Sequence, residues 1–206
     1  MQLTFTLDLE DHRGTGEKRY RENASRILDF LESLNIRATI FIVGTLIKDE
    51  RDLIKRASRS GHELALHSFR HTPLAQENRH SYGRHLLAAK QALEDASGQA
   101  IHGYRAPVFS LTPTTCWVLP ILRESGIKYS SSVLPGRHSI YNFPGTPRRS
   151  FLWPQGLVEI PVPLASVLGI KLPFLGGVYL RYLPQVISNT FLNRQPTEQP
   201  LWTYLH

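Results

Sequence analysis

A chain of 206 residues, 41% hydrophobic and 20% charged, has the size and composition of one globular domain with a substantial core, and is too short for two independent ones. The formal net charge of +7 permits attraction to anionic surfaces, but the basic residues are dispersed, with modest clusters at Lys18–Arg21 and Arg148–Arg149 and no nucleic-acid-binding motif, so no nucleic-acid partner is expected. The lone Cys116 excludes an intramolecular disulfide, no apolar run reaches membrane-spanning length, and the opening MQLTFTLDLEDH lacks the pattern of a secretory signal; a cytoplasmic protein without a transmembrane segment is the expectation.

In chain order, residues 3–9 alternate as a strand, and Ile27, Leu28, Leu31 and Leu34 mark the apolar stripe of a helix. ATIFIVG reads as a buried strand ending in glycine. A second helix runs through Leu46, Leu53, Ile54 and Ala57 and stops at Gly61, whose backbone tolerates a left-handed exit. The run Glu63–His67 is a short strand, followed by a helix through Leu86, Leu87, Ala89, Ala92 and Leu93 that closes at Gly98. The fourth strand ends near GYRAP. Thr112 and Pro113 open another helix, the hydroxyl in the cap position and the proline where its missing N–H costs nothing. Cys116, inside that helix, reads as a buried structural residue. The helix ends at Gly126, before the short strand IKYS. Residues 134–156, rich in Pro, Gly, Arg and Tyr, form a long irregular excursion of the kind that often carries function. LVEIPV and LWTYLH supply the sixth and seventh strands, with a helix around Val186–Leu192 between them.

Strand and helix thus alternate about seven times, which predicts a parallel α/β fold formed by a single domain over residues 1–206, a barrel with an imperfect seam rather than a small open sheet. Chemistry in such folds gathers at the carboxyl ends of the strands. Asp8, Glu10 and Asp11 end the first strand, His67 and His71 follow the third, Arg105 follows the fourth and His206 ends the last, so all are expected at one rim. Three acids crowded into LDLEDH repel one another unless a positive charge sits among them, and a divalent metal supplies one. Two imidazoles and one carboxylate make a three-ligand site with a position left for water, and a second carboxylate beside it can take the proton of that water.

LTFTLDLEDH, GHELALHSFRH, GYRAPVFS and YLH resemble, in order and position, the motifs of the polysaccharide deacetylases, the NodB-homology group of carbohydrate esterase family 4. ATIFIVG and GGVYLRYLP further resemble the bacterial branch linked to exopolysaccharide production. The resemblance implies a distorted (β/α)7 barrel of the NodB-homology type and a metal-dependent N-deacetylase acting on N-acetylated sugars of an oligo- or polysaccharide, with zinc the first candidate metal and a membrane-linked glycan as a candidate peripheral contact. Carried over, His67 and His71 are metal ligands together with an aspartate of the first motif, Arg105 orients the base, and His206 is the general acid. Pro107 and Phe109 lie at the substrate, and Trp153 and Tyr179 are sugar-stacking candidates.

The family's commonest first motif has two adjacent aspartates, whereas this chain reads Asp8, Leu9, Glu10, Asp11. Asp11 is preferred as ligand and Asp8 as base, with Glu10 in reserve for either, because strand alternation puts Asp8 and Glu10 on one face. Relatives carry an acidic residue where this chain has Ser130; without a substitute carboxylate, His206 is tuned less strongly. Relatives also continue past the histidine at which this sequence ends, so a domain lacking its C-terminal end is expected. Two other functions remain open: a catalytically impaired carbohydrate-binding protein, and a hydrolase of a non-sugar C–N bond.

Overall fold

A computed structural model describes residues 3–11, 19–136, 141–167, 170–193 and 201–205. Eight strands form one curled sheet in the order β10-β1-β2-β3-β4-β5-β7-β6. They are β1 (Leu3–Leu9), β2 (Ala38–Ile42), β3 (Glu63–Leu66), β4 (Gly103–Tyr104), β5 (Tyr129–Ser130), β6 (Phe151–Leu152), β7 (Val158–Glu159) and β10 (Leu201–Trp202). Every neighbouring pair is parallel except β6 with β7. This is the expected α/β barrel in distorted form, a half-barrel sheet with its helices outside. β6 lies within the stretch 134–156 that reads as irregular in sequence, where Trp153 N–H donating to the Leu157 carbonyl turns the chain back on itself.

The helices follow from their apolar stripes. Helix α1 (Arg19–Ser33) buries Ala24, Leu28 and Leu31, and α2 (Arg51–Arg59) buries Ile54 and Ala57; Ala24, Leu28, Ile54 and Ala57 share one core cluster with Leu7, Leu9, Ile40 and Ile42 on the outer face of the sheet. Helix α3 (Arg79–Ser97) starts at Asn78, whose side-chain oxygen accepts the His80 N–H, and ends at Gly98, whose φ of 70° permits the left-handed exit. The Thr112–Pro113 signal opens a 3-10 turn, with Thr112 N–H donating to Thr115 Oγ1, before α4 (Val118–Glu124) begins. Cys116 follows that turn and precedes α4, half-buried against the core rather than fully buried inside a helix.

The last third of the chain adds elements absent from the sequence reading: a hairpin of β8 (Ala165–Val167) and β9 (Ile170–Leu172), and a short helix α5 (Gly177–Tyr182) before α6 (Gln185–Asn193). They surround a small core of Ala165, Phe174, Leu175, Phe191 and Leu201. Beyond it the chain returns to the edge of the sheet, β10 lying beside β1 with Leu3 opposite Leu201 and Thr4 opposite Trp202. The pairing continues to Leu205, whose carbonyl accepts the Asp8 N–H at 2.8 Å. Among the described residues, no helix is long and apolar enough to cross a membrane.

Candidate metal centre

Alternation along β1 sorts its residues. Leu7 and Leu9 face the helices, which leaves Thr6, Asp8 and, one step past the strand, Glu10 on the inner face, all buried. Asp11 falls on the other side of that alternation. It is half-buried near Tyr20, and its charge is among those that, after burial and the Glu50 hydrogen bond, push the Tyr20 phenol far up.

The histidines arrive through a tight loop rather than a helix. Ser68 and His71 both adopt left-handed backbone, with φ of 59° and 58°, and the Ser68 hydroxyl accepts the His71 N–H at 3.0 Å. This folds the chain back so that the two imidazoles lie 4.9 Å apart, centre to centre. Gly44, at the end of ATIFIVG, makes room: a Cβ there would lie 2.7 Å from the Phe69 ring.

One ligand atom from each of Glu10, His67 and His71 falls within 4.8 Å of the others. Glu10 Oε2 contacts His71 Nε2 and lies 3.4 Å from His67 Nε2. His67 Nδ1 is 2.9 Å from the Arg105 carbonyl, which can only accept; Nδ1 therefore carries the hydrogen, and the Nε2 of a neutral ring points its lone pair inward. That Nε2 is buried, has no hydrogen-bond partner among the described residues, and faces Glu10 and, at 3.9 Å, Asp8 Oδ2. A lone pair aimed at carboxylate oxygens needs a cation between them. Borderline nitrogen donors with one hard oxygen suit a divalent ion of the zinc type, so the side chains fit such a group.

Asp8 is instead paired with Arg105, Nη1 to Oδ1 at 2.6 Å, both buried. Nη1 also donates to Thr6 Oγ1 at 3.0 Å, and the Thr6 hydroxyl in turn donates to the Thr203 carbonyl. The guanidinium lies between the rings of Phe41, 3.9 Å away, and Trp202, 4.4 Å away. Burial lowers the Arg105 pKa from its usual value, and the adjacent Asp8 acts against that shift.

Pro107 is buried in a 3-10 turn, Pro107–Phe109, where Val108 and Phe109 have φ of 49° and 52°. Four of the described non-glycine residues in left-handed conformation thus belong to the two loops that carry His71 and Phe109, the kind of strain that persists where a site over-determines the backbone. The loops are tied together, since Ser110 Oγ accepts the Leu74 N–H. Phe109 stands edge-on to Tyr204 at 5.1 Å, burial pushes the Tyr204 phenol far up, and Tyr179 lies half-buried in α5. Trp153 lies away from this group, packed on Phe143 and Phe151 with its indole N–H donated to Glu159. His206 lies outside the described residues.

Several contributors escaped the sequence reading. Phe41 was visible only as one member of a buried strand; its register opposite Asp8 puts it on the inner face. Ser68 sits inside the histidine motif, and Trp202 inside the last strand. Glu159, a single acid in the apolar run LVEIPV, was the one clear signal left unused; it places a buried carboxylate beside Ser130–Ser132.

Residues 9–130 match the polysaccharide deacetylase family. The chain belongs to that family. Residues 131–206 of this polysaccharide deacetylase family member match a domain of unknown function, DUF3473. Over 82 residues it is 35% identical to a chitooligosaccharide deacetylase of Sinorhizobium fredii, an alignment covering 39% of this chain and 38% of that protein. Over 86 residues it is 29% identical to a peptidoglycan-N-acetylglucosamine deacetylase of Bacillus cereus, covering 42% and 31%. The chain spans less than half the length of these curated relatives. A solved structure from Mycobacterium smegmatis, assigned to the polysaccharide deacetylases, aligns over 100% of this chain and 76% of that one with a TM-score of 0.65 at 19% identity. A CE4 family pseudoenzyme from Bacillus anthracis aligns over 98% and 54% with a TM-score of 0.60 at 12% identity. At such identities the likeness speaks for the fold.

Proposed function

We propose that this protein is a metal-dependent N-deacetylase that removes acetyl groups from N-acetylated sugars of an oligo- or polysaccharide. The observation that carries the reading is the convergence of Glu10, His67 and His71 within 4.8 Å beside the Asp8–Arg105 pair. Glu10 is the carboxylate ligand in this reading, in place of Asp11, because it shares the inner face with Asp8. A divalent cation held there, zinc first among candidates, supplies Lewis acidity to the acetamide carbonyl and to the attacking water.

The side chains divide the remaining work. Asp8, anchored by Arg105, takes a proton as the water oxygen attacks the acetamide carbon. The C–N bond then breaks, and the departing nitrogen receives its proton from His206; the covalent neighbour of that residue, Leu205, is bonded through its carbonyl to the Asp8 N–H, which supports this assignment. Acetate and a free amino sugar result. Pro107 and Phe109, with Tyr179, form the sugar-facing wall, and Trp153 offers a half-buried ring farther out. An exopolysaccharide as substrate is supported by the resemblance of GGVYLRYLP. The net charge of +7 supports peripheral contact with a membrane-linked glycan, and the lone cysteine supports a cytoplasmic site of action.

The test is metal analysis of the purified protein and acetate release from N-acetylated oligosaccharides before and after chelation. His67→Ala and His71→Ala each abolish bound metal and acetate release. Turnover that persists through chelation and both substitutions refutes the mechanism. Metal binding with no amine product from any acetylated glycan or small amide supports the carbohydrate-binding alternative.

A further inference from the structure

Glu159 has no part in the chemistry above, yet its carboxylate is fully buried on β7, where a charge is costly unless its hydrogen bonds are made. They are made by neutral donors. Oε1 accepts the backbone N–H of Ser132 at 2.7 Å and of Val133 at 2.9 Å, and Oε2 accepts the Trp153 indole N–H at 3.2 Å. Burial raises the Glu159 pKa while these bonds act against the shift, and one side-chain oxygen pins two successive backbone N–H groups, so the segment just past β5 is fixed at two points outside the strand ladder.

That segment is the seat of the Arg105 loop. Ser132 Oγ accepts the Ala106 N–H at 2.8 Å and also the Ser130 hydroxyl at 2.8 Å, while Ser131 Oγ accepts from Arg105 Nη2 at 3.4 Å. The residues so held are the guanidinium that grips Asp8 and the entry to the strained Val108–Phe109 turn. A strained turn keeps its shape only if its surroundings impose it. The three candidate metal ligands, in contrast, come from the residue after β1 and from the segment His67–His71, and His67 meets Arg105 at its backbone carbonyl rather than at the guanidinium that the strap holds.

We propose that Glu159 is a positioning residue of the deacetylation site: it clamps residues 130–133 into a strap that sets Arg105, and through it Asp8, together with the Ala106–Phe109 turn. The proposal rests on the deacetylase reading for its kinetic consequence. Glu159→Ala frees the strap and lowers kcat by about 10- to 100-fold, the cost of a misplacement of about 1 Å, with KM and zinc affinity within about threefold of wild type. Glu159→Gln keeps an amide oxygen for both backbone donors and recovers at least about a third of the lost rate constant. Ser132→Ala leaves the Glu159 bonds to the backbone in place and removes the acceptor shared by the Ala106 N–H and the Ser130 hydroxyl; it lowers kcat in the same direction, and decides the matter should Glu159→Ala not fold. Folded Glu159→Ala and Ser132→Ala with wild-type kcat overturn the proposal, as does a loss of zinc affinity equal to the loss of kcat. If wild-type protein releases no acetate, the deacetylase reading fails and the clamp is read from NMR of the Arg105 guanidinium: faster rotation in Glu159→Ala supports it, and unchanged rotation overturns it.

Discussion

Substitution of the Asp8–Arg105 pair, singly and together, tests whether the inner layer of the barrel is organised by that pair. The two groups meet at 2.6 Å with side chains about as buried as any in the protein, 1% exposed each, so neither can fall back on water when the other is removed. Arg105→Met leaves the Asp8 carboxylate among Thr6, Phe41 and His67 without its cation, at a cost of about 3–5 kcal/mol. Asp8→Asn keeps an oxygen for Nη1 but strands the guanidinium charge, at about 2–4 kcal/mol. The double substitution loses the stacking of Arg105 between Phe41 and Trp202, about 2 kcal/mol, but leaves no uncompensated charge. Its destabilisation therefore falls short of the sum of the singles by at least about 2 kcal/mol. Urea denaturation at pH 7 in the presence of chelator measures the four stabilities without a contribution from bound metal, provided the slopes agree. Additivity within about 0.5 kcal/mol would mean that the two charges do not depend on each other, and would remove Arg105 as the group that holds the base.

Three further outcomes follow from named contacts. Glu10→Gln weakens zinc binding by about 100-fold or more, whereas Asp11→Asn changes it by less than about threefold, measured by competition with a chromophoric chelator; the reverse order would restore Asp11 as the ligand. His62 is buried with Nδ1 accepting the Ala38 N–H, and burial pushes its pKa below the usual 6.5, with Glu32 acting against the shift and Arg56 adding to it. The unfolded chain then takes up the proton first, so wild-type stability falls as pH drops below 6.5, by up to about 1.4 kcal/mol per pH unit, and His62→Gln flattens that slope; equal slopes in denaturant titrations at pH 7.5 and 5.5 count against the assignment. Val108, half exposed at φ 49°, carries a left-handed strain of about 1–2 kcal/mol, of which glycine returns all but its own entropic cost of about 0.5–1 kcal/mol. Val108→Gly accordingly raises Tm by about 1–4 °C in a calorimetric scan, and a lower Tm contradicts the strain.

What the sequence determined by itself was whatever rests on local pattern. Alternation in LTFTLDL and ATIFI, the stripes of the helices, Gly98 as a helix stop and the run of strand-helix units all read directly, because periodicity and special backbone conformations belong to contiguous residues. The histidine pair and Arg105 were legible for the same reason. Tertiary structure separated the acids: Asp8 and Glu10 share an inner face only once Leu7 and Leu9 have been claimed by the helices, and Asp11 falls on the other side of that alternation. It also decided the company of Arg105, since Phe41, Trp202 and Ser131 stand 64, 97 and 26 positions away along the chain and meet it through strand register alone. The role of Glu159 was hidden in the same manner, because a lone acid in an apolar strand announces that it needs partners but not which backbone will provide them.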